Sequence, residues 1–214
     1  MFSRWIVLLF FIAHCAFSQT GNFKKADSLK KLISSKKGIE VIALKTNLAE
    51  TILDSVPEES LKQAQEALKE IKKDGEQTAL AYFVMGKAYS KLNQNDSAIF
   101  YLQKALPWFE KNPENKHLAR SYYSLGLIFS QMSLLSEAYG SMEKAIKIYE
   151  KEKDTSNLGK AWNVIGIIYK ERKEYQKALE YYKNALRHLN DPANEKVKAL
   201  VYNNMGVVYQ RLEK

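Results

Sequence analysis

The chain has 214 residues, 46% hydrophobic and 27% charged, with 9 Gly, 4 Pro and a net charge of +9. That much apolar side chain with so little glycine and proline excludes a disordered or collagen-like chain, and the long runs of Ala, Leu and Lys favour an all-α fold. The positive balance selects no partner by itself, because lysines are mixed with acids, as in Lys147, Glu150, Lys151, Glu152 and Lys153; such mixing marks solvated helix faces, and no nucleic-acid partner is expected.

In chain order, the first element reads as a secretory signal over residues 1–18. Met1–Arg4 carries one positive charge and Trp5–Ala13 is an uninterrupted apolar run. Ala16-Phe17-Ser18 then places small residues where a signal peptidase reads, so cleavage after Ser18 is expected. The apolar stretch from Trp5 to Phe17, interrupted by His14, is short of the roughly 18 residues of a spanning helix. Cys15 is the single cysteine. Its removal with the signal leaves no thiolate for a metal site, a nucleophile or a disulfide, which suits an oxidising compartment. A periplasmic or secreted location follows. Lipidation at Cys15 is the alternative, opposed by His14 at a position where lipoprotein signals resemble one another in carrying Gly, Ala or Ser.

Residues 19–77 read as a capping helix and a degenerate first repeat. The capping helix falls at 22–36 and includes Leu29, Leu32 and Ile33. Leu44, Leu48 and Ala67 then fit the pattern described below only loosely, with a turn at Asp54-Ser55-Val56 and Pro57 opening a second helix.

From residue 78 to 214 the chain repeats with a period of 40. Gly86, Gly126, Gly166 and Gly206 each sit in the frame aromatic-x-x-apolar-Gly-x-x-aromatic. The aromatics are Tyr82 and Tyr89, Tyr122 and Phe129, Trp162 and Tyr169, then Tyr202 and Tyr209. Spacings of four and three put both aromatics and the glycine on one helix face, and the missing side chain admits a second helix. Ala98, Ala138 and Ala178, then Ala105, Ala145 and Ala185, supply small residues on that second helix. Turn-forming residues such as Asn93-Gln94-Asn95-Asp96 lie between the two. The chain stops at Lys214, where the first helix of a fourth unit should turn into its second, so that unit is expected to be incomplete.

This pattern resembles the tetratricopeptide repeat family, with its W-x2-L-G-x2-Y and A-x3-F positions; Trp162 to Tyr169 with Ala178 and Tyr182 is the closest match. The resemblance implies a right-handed solenoid of antiparallel helix-turn-helix repeats. The family's usual period is about 34 residues. The surplus here is expected near Lys111–Glu114 and Lys151–Asp154, in longer helices or in loops between hairpins.

No catalytic chemistry is expected. After the signal only His117 and His188 remain, with no metal-ligand pair at helical spacing, no GxSxG and no phosphate-cradling glycine loop. No cofactor and no metal are predicted, and the aromatic stripe reads as interhelical packing. The resemblance implies instead a protein- or peptide-binding scaffold in the cell envelope. The alternative is the input region of a longer signal-transduction sensor, since exported repeats of this kind resemble those of some envelope sensor kinases and regulators. Membrane contact is expected only for a longer sensor or a lipidated chain. In the family this resembles, positions two, five, nine and twelve of each first helix line a concave groove. Here that face carries Phe83, Lys87, Arg120, Tyr123, Lys160, Asn163, Lys170 and Asn203. The expected ligand is an extended, partly acidic peptide, its backbone held by Asn163 and Asn203 and its acids by Arg120, Lys160 and Lys170.

Overall fold

A computed structural model describes residues 22–213. The expected signal, Met1–Ser18 with Cys15, lies outside the described residues. Within them all regular structure is helical, as composition predicts. Helix α1 spans residues 22–35. It is followed by α2 (Ile39–Ile52), α3 (Pro57–Glu70), α4 (Glu76–Lys91), α5 (Asn95–Lys111), α6 (His117–Gln131), α7 (Leu135–Glu152), α8 (Thr155–Glu171), α9 (Tyr175–His188), a 3-10 turn at Pro192–Asn194 and α10 (Glu195–Leu212). The chain divides inside α5 into two compact units, one ending at Trp108 and the other beginning at Phe109.

In the first unit, α1 lays Ala26, Leu29 and Ile33 against Leu48 and Ile52 of α2. Helix α2 pairs with α3, and α3 with α4. The buried Ser60 hydroxyl donates to the Ala49 carbonyl at 2.7 Å, joining α2 and α3. Lys45 on α2 reaches Glu70 at 2.7 Å and Glu66 at 3.3 Å on α3. This hairpin has the two helices of a repeat but no glycine of the frame.

The turns within the three clear repeats are alike. Helices α4, α6 and α8 each give way to the next after three residues, and Asn93, Ser133 and Lys173, spaced 40 apart, take φ of 59°, 60° and 62°. A left-handed residue just past a helix end lets the chain reverse while backbone N–H groups satisfy the orphan carbonyls. Accordingly Gln94 N–H bonds to the Tyr89 carbonyl, Leu134 N–H to Phe129 and Glu174 N–H to Tyr169, each at 2.9 Å.

The residues beyond the usual period are placed differently at the two expected joints. Five residues, 112–116, separate α5 from α6, so a loop takes up the surplus there. Between α7 and α8 only Lys153 and Asp154 remain outside the helices, because α7 runs on for 18 residues. Lys153 ends it with φ 57°, and the Asp154 carboxylate caps α8 by accepting from Asn157 N–H at 3.0 Å.

Three of the four glycines of the frame do what their spacing predicts, while Gly206 has nothing within 4 Å. A Cβ on Gly86 would lie 2.7 Å from Leu102 Cγ and 3.1 Å from the Ala98 carbonyl oxygen. One on Gly126 would meet Met142 Cε at 2.7 Å and the Ala138 carbonyl oxygen at 3.2 Å, and one on Gly166 would run into the Tyr182 ring. In the second unit, Ala178, Leu179, Tyr182, Ala185 and Leu189 of the α9 segment are buried with Val201 and Val208 of α10.

Candidate functional site

Helix α6 packs beside α8, and α8 beside α10, all in the second unit. The glycine-bearing faces of α6 and α8 turn to their partner helices, and a different face of all three remains accessible. On α6, Arg120, Tyr123, Leu127 and Ser130 are half-buried, as are Lys160, Asn163, Ile167 and Lys170 on α8. On α10, Leu200, Asn203, Val207 and Gln210 are exposed. Six of the eight residues singled out from sequence are thus assembled on neighbouring helices of one unit.

The other two lie in the first unit and fare differently. Phe83 is 0% exposed. Its expected place in a groove is therefore corrected: a large apolar ring is stabilised by leaving water, and here it has no surface to offer a ligand. Lys87 is half-buried, with Nζ 5.8 Å from the Phe83 ring centre.

Polar contacts fix several of the second-unit side chains. Asn204 Nδ2 donates to Asn163 Oδ1 at 3.2 Å, bridging α10 and α8. The sequence reading singled out Asn203, one residue earlier, which is exposed; the signal for Asn204 was its position beside Asn203, one step around the helix. Lys160 Nζ donates to Asn157 Oδ1 at 3.1 Å, and Asn157 Nδ2 donates to the Asp154 carboxylate at 2.6 Å. The α8 cap thereby holds Lys160 in place. Lys170 pairs with Glu171 at 3.1 Å, which partly offsets its charge.

The aromatic wall beside Arg120 is drier. Burial pushes the Tyr123 hydroxyl up to about 12. Tyr149 on α7 is likewise raised, first by burial and then by the neighbouring Tyr123 and Asp154, with Arg120 acting in the opposite direction. Both phenols are neutral at physiological pH and serve as hydrogen-bonding apolar surface. A row of amide, cation and phenol groups at half-buried positions can bind a chain with its own backbone and side-chain acceptors. Among the described residues no three His, Cys, Asp or Glu side chains are grouped to hold a metal ion. None of the described helices is long and apolar enough to cross a membrane.

Two family models described as Tetratricopeptide repeat match the chain, one over residues 79–112 and one over residues 117–191, together just over half of it. No match was found among curated proteins. Among solved structures, BtubC from P. vanneervenii is similar, with 18% identity, 89% of this chain and 81% of that one covered, and a TM-score of 0.68. The apo form of RapI gives 18% identity, coverage of 95% and 77%, and a TM-score of 0.77. NprR in complex with its cognate peptide NprX gives 17%, coverage of 100% and 64%, and 0.75. At such identities the likeness is one of fold.

Proposed function

The chain belongs to the tetratricopeptide repeat family, and from that premise we propose that it is a non-catalytic module of the cell envelope that captures an extended, partly acidic peptide on the accessible face of α6, α8 and α10. The observation that carries this reading is the row formed by Arg120, Tyr123, Lys160, Asn163, Lys170 and Asn203 on adjacent helices of one unit. Asn163 Oδ1 is already engaged by Asn204, so its Nδ2 is the donor directed to an incoming backbone carbonyl. Arg120 and Lys160 attract carboxylates, most effectively where Tyr123 and Tyr149 exclude water. Peptide capture by the fold is supported by the crystal structure of NprR with NprX, a protein of similar architecture. The envelope location rests on the leader-like pattern of Met1–Ser18.

The test is capture of fluorescent extended peptides by the chain lacking residues 1–18. Acidic sequences should be retained over basic ones of equal length, with affinity falling as salt rises. Asn163→Ala with Asn203→Ala should weaken capture, each lost hydrogen bond being worth about 0.5–1.5 kcal/mol. Undiminished capture by a folded double variant would move the site off this face.

A further inference from the structure

Helix α1 and the residues just after it depart from the mixing of lysines with acids seen along the rest of the chain. Residues 24–37 hold six lysines, Lys24, Lys25, Lys30, Lys31, Lys36 and Lys37, against the single acid Asp27. That short stretch supplies five of the nine net positive charges. All six lysines are exposed. Lys36 pairs with Glu40 at 3.0 Å, and the other five make no ion pair among the described residues.

The inner side of α1 is committed to the core, where Ala26, Leu29 and Ile33 lie against Leu48 and Ile52. Helical spacing gathers Lys24, Ser28, Lys31 and Ser35 on the outer side, with Lys25 and Leu32 beside them. No acid lies on this face, since Asp27 falls on the flank that carries Phe23 and Lys30. All six of its residues are exposed, and Leu32 leaves 45% of its surface in water although Ile33, next in the chain, is packed. Ser28 donates its hydroxyl to the Lys24 carbonyl at 3.0 Å, and Ser35 donates to the Leu32 carbonyl at 2.9 Å. Small and already bonded to the helix, these serines lose little on leaving water. Because its inner side is packed, the helix presents the outer face as a fixed row of charges.

We propose that this face of α1 rests on the surface of an anionic lipid bilayer. Lys24, Lys25 and Lys31 lie over the lipid phosphates, and Leu32 enters the boundary between headgroups and acyl chains. Such contact needs neither a spanning helix nor a lipid chain on the protein, because each lysine close to an anionic membrane raises affinity by about fivefold. A bilayer fits this face better than a soluble polyanion does. Leu32 gains nothing from a chain of phosphates, whereas at the bilayer boundary it leaves water beside the lysines that hold the helix there. The attachment is peripheral and reversible, and it is independent of peptide capture on α6, α8 and α10.

The test is sedimentation of the chain from Gln19 with sucrose-loaded vesicles of phosphatidylcholine, either alone or with about 30% phosphatidylglycerol to make the surface anionic. Binding to the anionic vesicles alone is expected, falling steeply as salt rises. Lys24→Gln, Lys25→Gln and Lys31→Gln together should weaken it at least about thirtyfold. The same loss of charge at the exposed Lys62, Lys69 and Lys72 of the first unit should weaken it less than about threefold, because those lysines lie off the face. Helical circular dichroism would confirm that both triple variants are folded. Leu32→Ser should weaken binding to vesicles and leave retention on soluble polyphosphate unchanged. Asn163→Ala with Asn203→Ala should leave vesicle binding unchanged, which separates this outcome from that for peptide capture. Absence of binding to anionic vesicles, or equal losses for the two sets of lysines, would overturn the proposal. So would undiminished vesicle binding by Leu32→Ser, which would assign the lysines to a soluble polyanion.

Discussion

Alanine at equivalent glycines should act with opposite sign along the second unit. Gly166 and Gly206 occupy the same position of the frame, one repeat apart. Replacing a helix-interior glycine by alanine gains about 0.8–1.0 kcal/mol of helix propensity at either. At Gly206 nothing lies within 4 Å, so the gain is kept and Gly206→Ala should stabilise by about 1 kcal/mol. At Gly166 the methyl runs into the ring of Tyr182, which is 0% exposed and has no room to swing away. Overpacking of this kind costs about 1–3 kcal/mol, so Gly166→Ala should be net destabilising by up to about 2 kcal/mol. Gly126 lies between the two, because its nearest neighbour is the flexible end of Met142. Urea titrations followed by helical circular dichroism, with slopes compared among variants, would measure the order Gly206→Ala, wild type, Gly166→Ala. Equal shifts for the two variants would refute the packing account, since propensity alone would then decide both.

Tyr182→Phe should raise stability by about 1 kcal/mol, because the Tyr182 hydroxyl is buried and makes no hydrogen bond; a loss on thermal unfolding would show that the hydroxyl has a partner. Stability should also fall as pH rises from about 10 towards 12. Burial raises Tyr123 and Tyr181 from an ordinary 10.0 to about 12, so in that window the unfolded chain releases protons that the folded chain retains. The stabilisation is complete below pH 10 and lost through 12, and Tyr123→Phe should flatten the fall seen in denaturant titrations at stepped pH.

The frame around Gly86, Gly126 and Gly166 was legible because close helix packing leaves few residue choices: a missing side chain opposite alanine, flanked by aromatics, recurs wherever that contact recurs. The class of fold followed from it, and the opening of α3 at Pro57 was legible separately, from a proline just after a turn. The accessible face was legible in part. Periodicity places Phe83 and Tyr123 at one position of the repeat, yet one is fully buried and the other half-exposed. Periodicity gives the side of the helix and not how deeply each position is covered. Asn204 was missed for a related reason: a helical residue one step off the face can still reach a neighbouring helix, as its bond to Asn163 does. The joint between α7 and α8 falls within the expected Lys151–Asp154, but its division between helix and loop was not legible: Lys151 and Glu152 continue the helix, and Lys153 takes the left-handed turn.

The turn closing α4, α6 and α8 has a consequence for how such a chain changes over generations. Its reversal is secured by backbone groups, the carbonyls of Tyr89, Phe129 and Tyr169 receiving N–H groups five residues on. The left-handed position has accordingly accepted Asn, Ser and Lys in turn. Geometry is preserved while the residues drift, which makes each hairpin a self-contained cassette. A 40-residue repeat duplicated in frame would therefore carry its own hairpin turn with it, since that reversal draws on backbone groups within the hairpin.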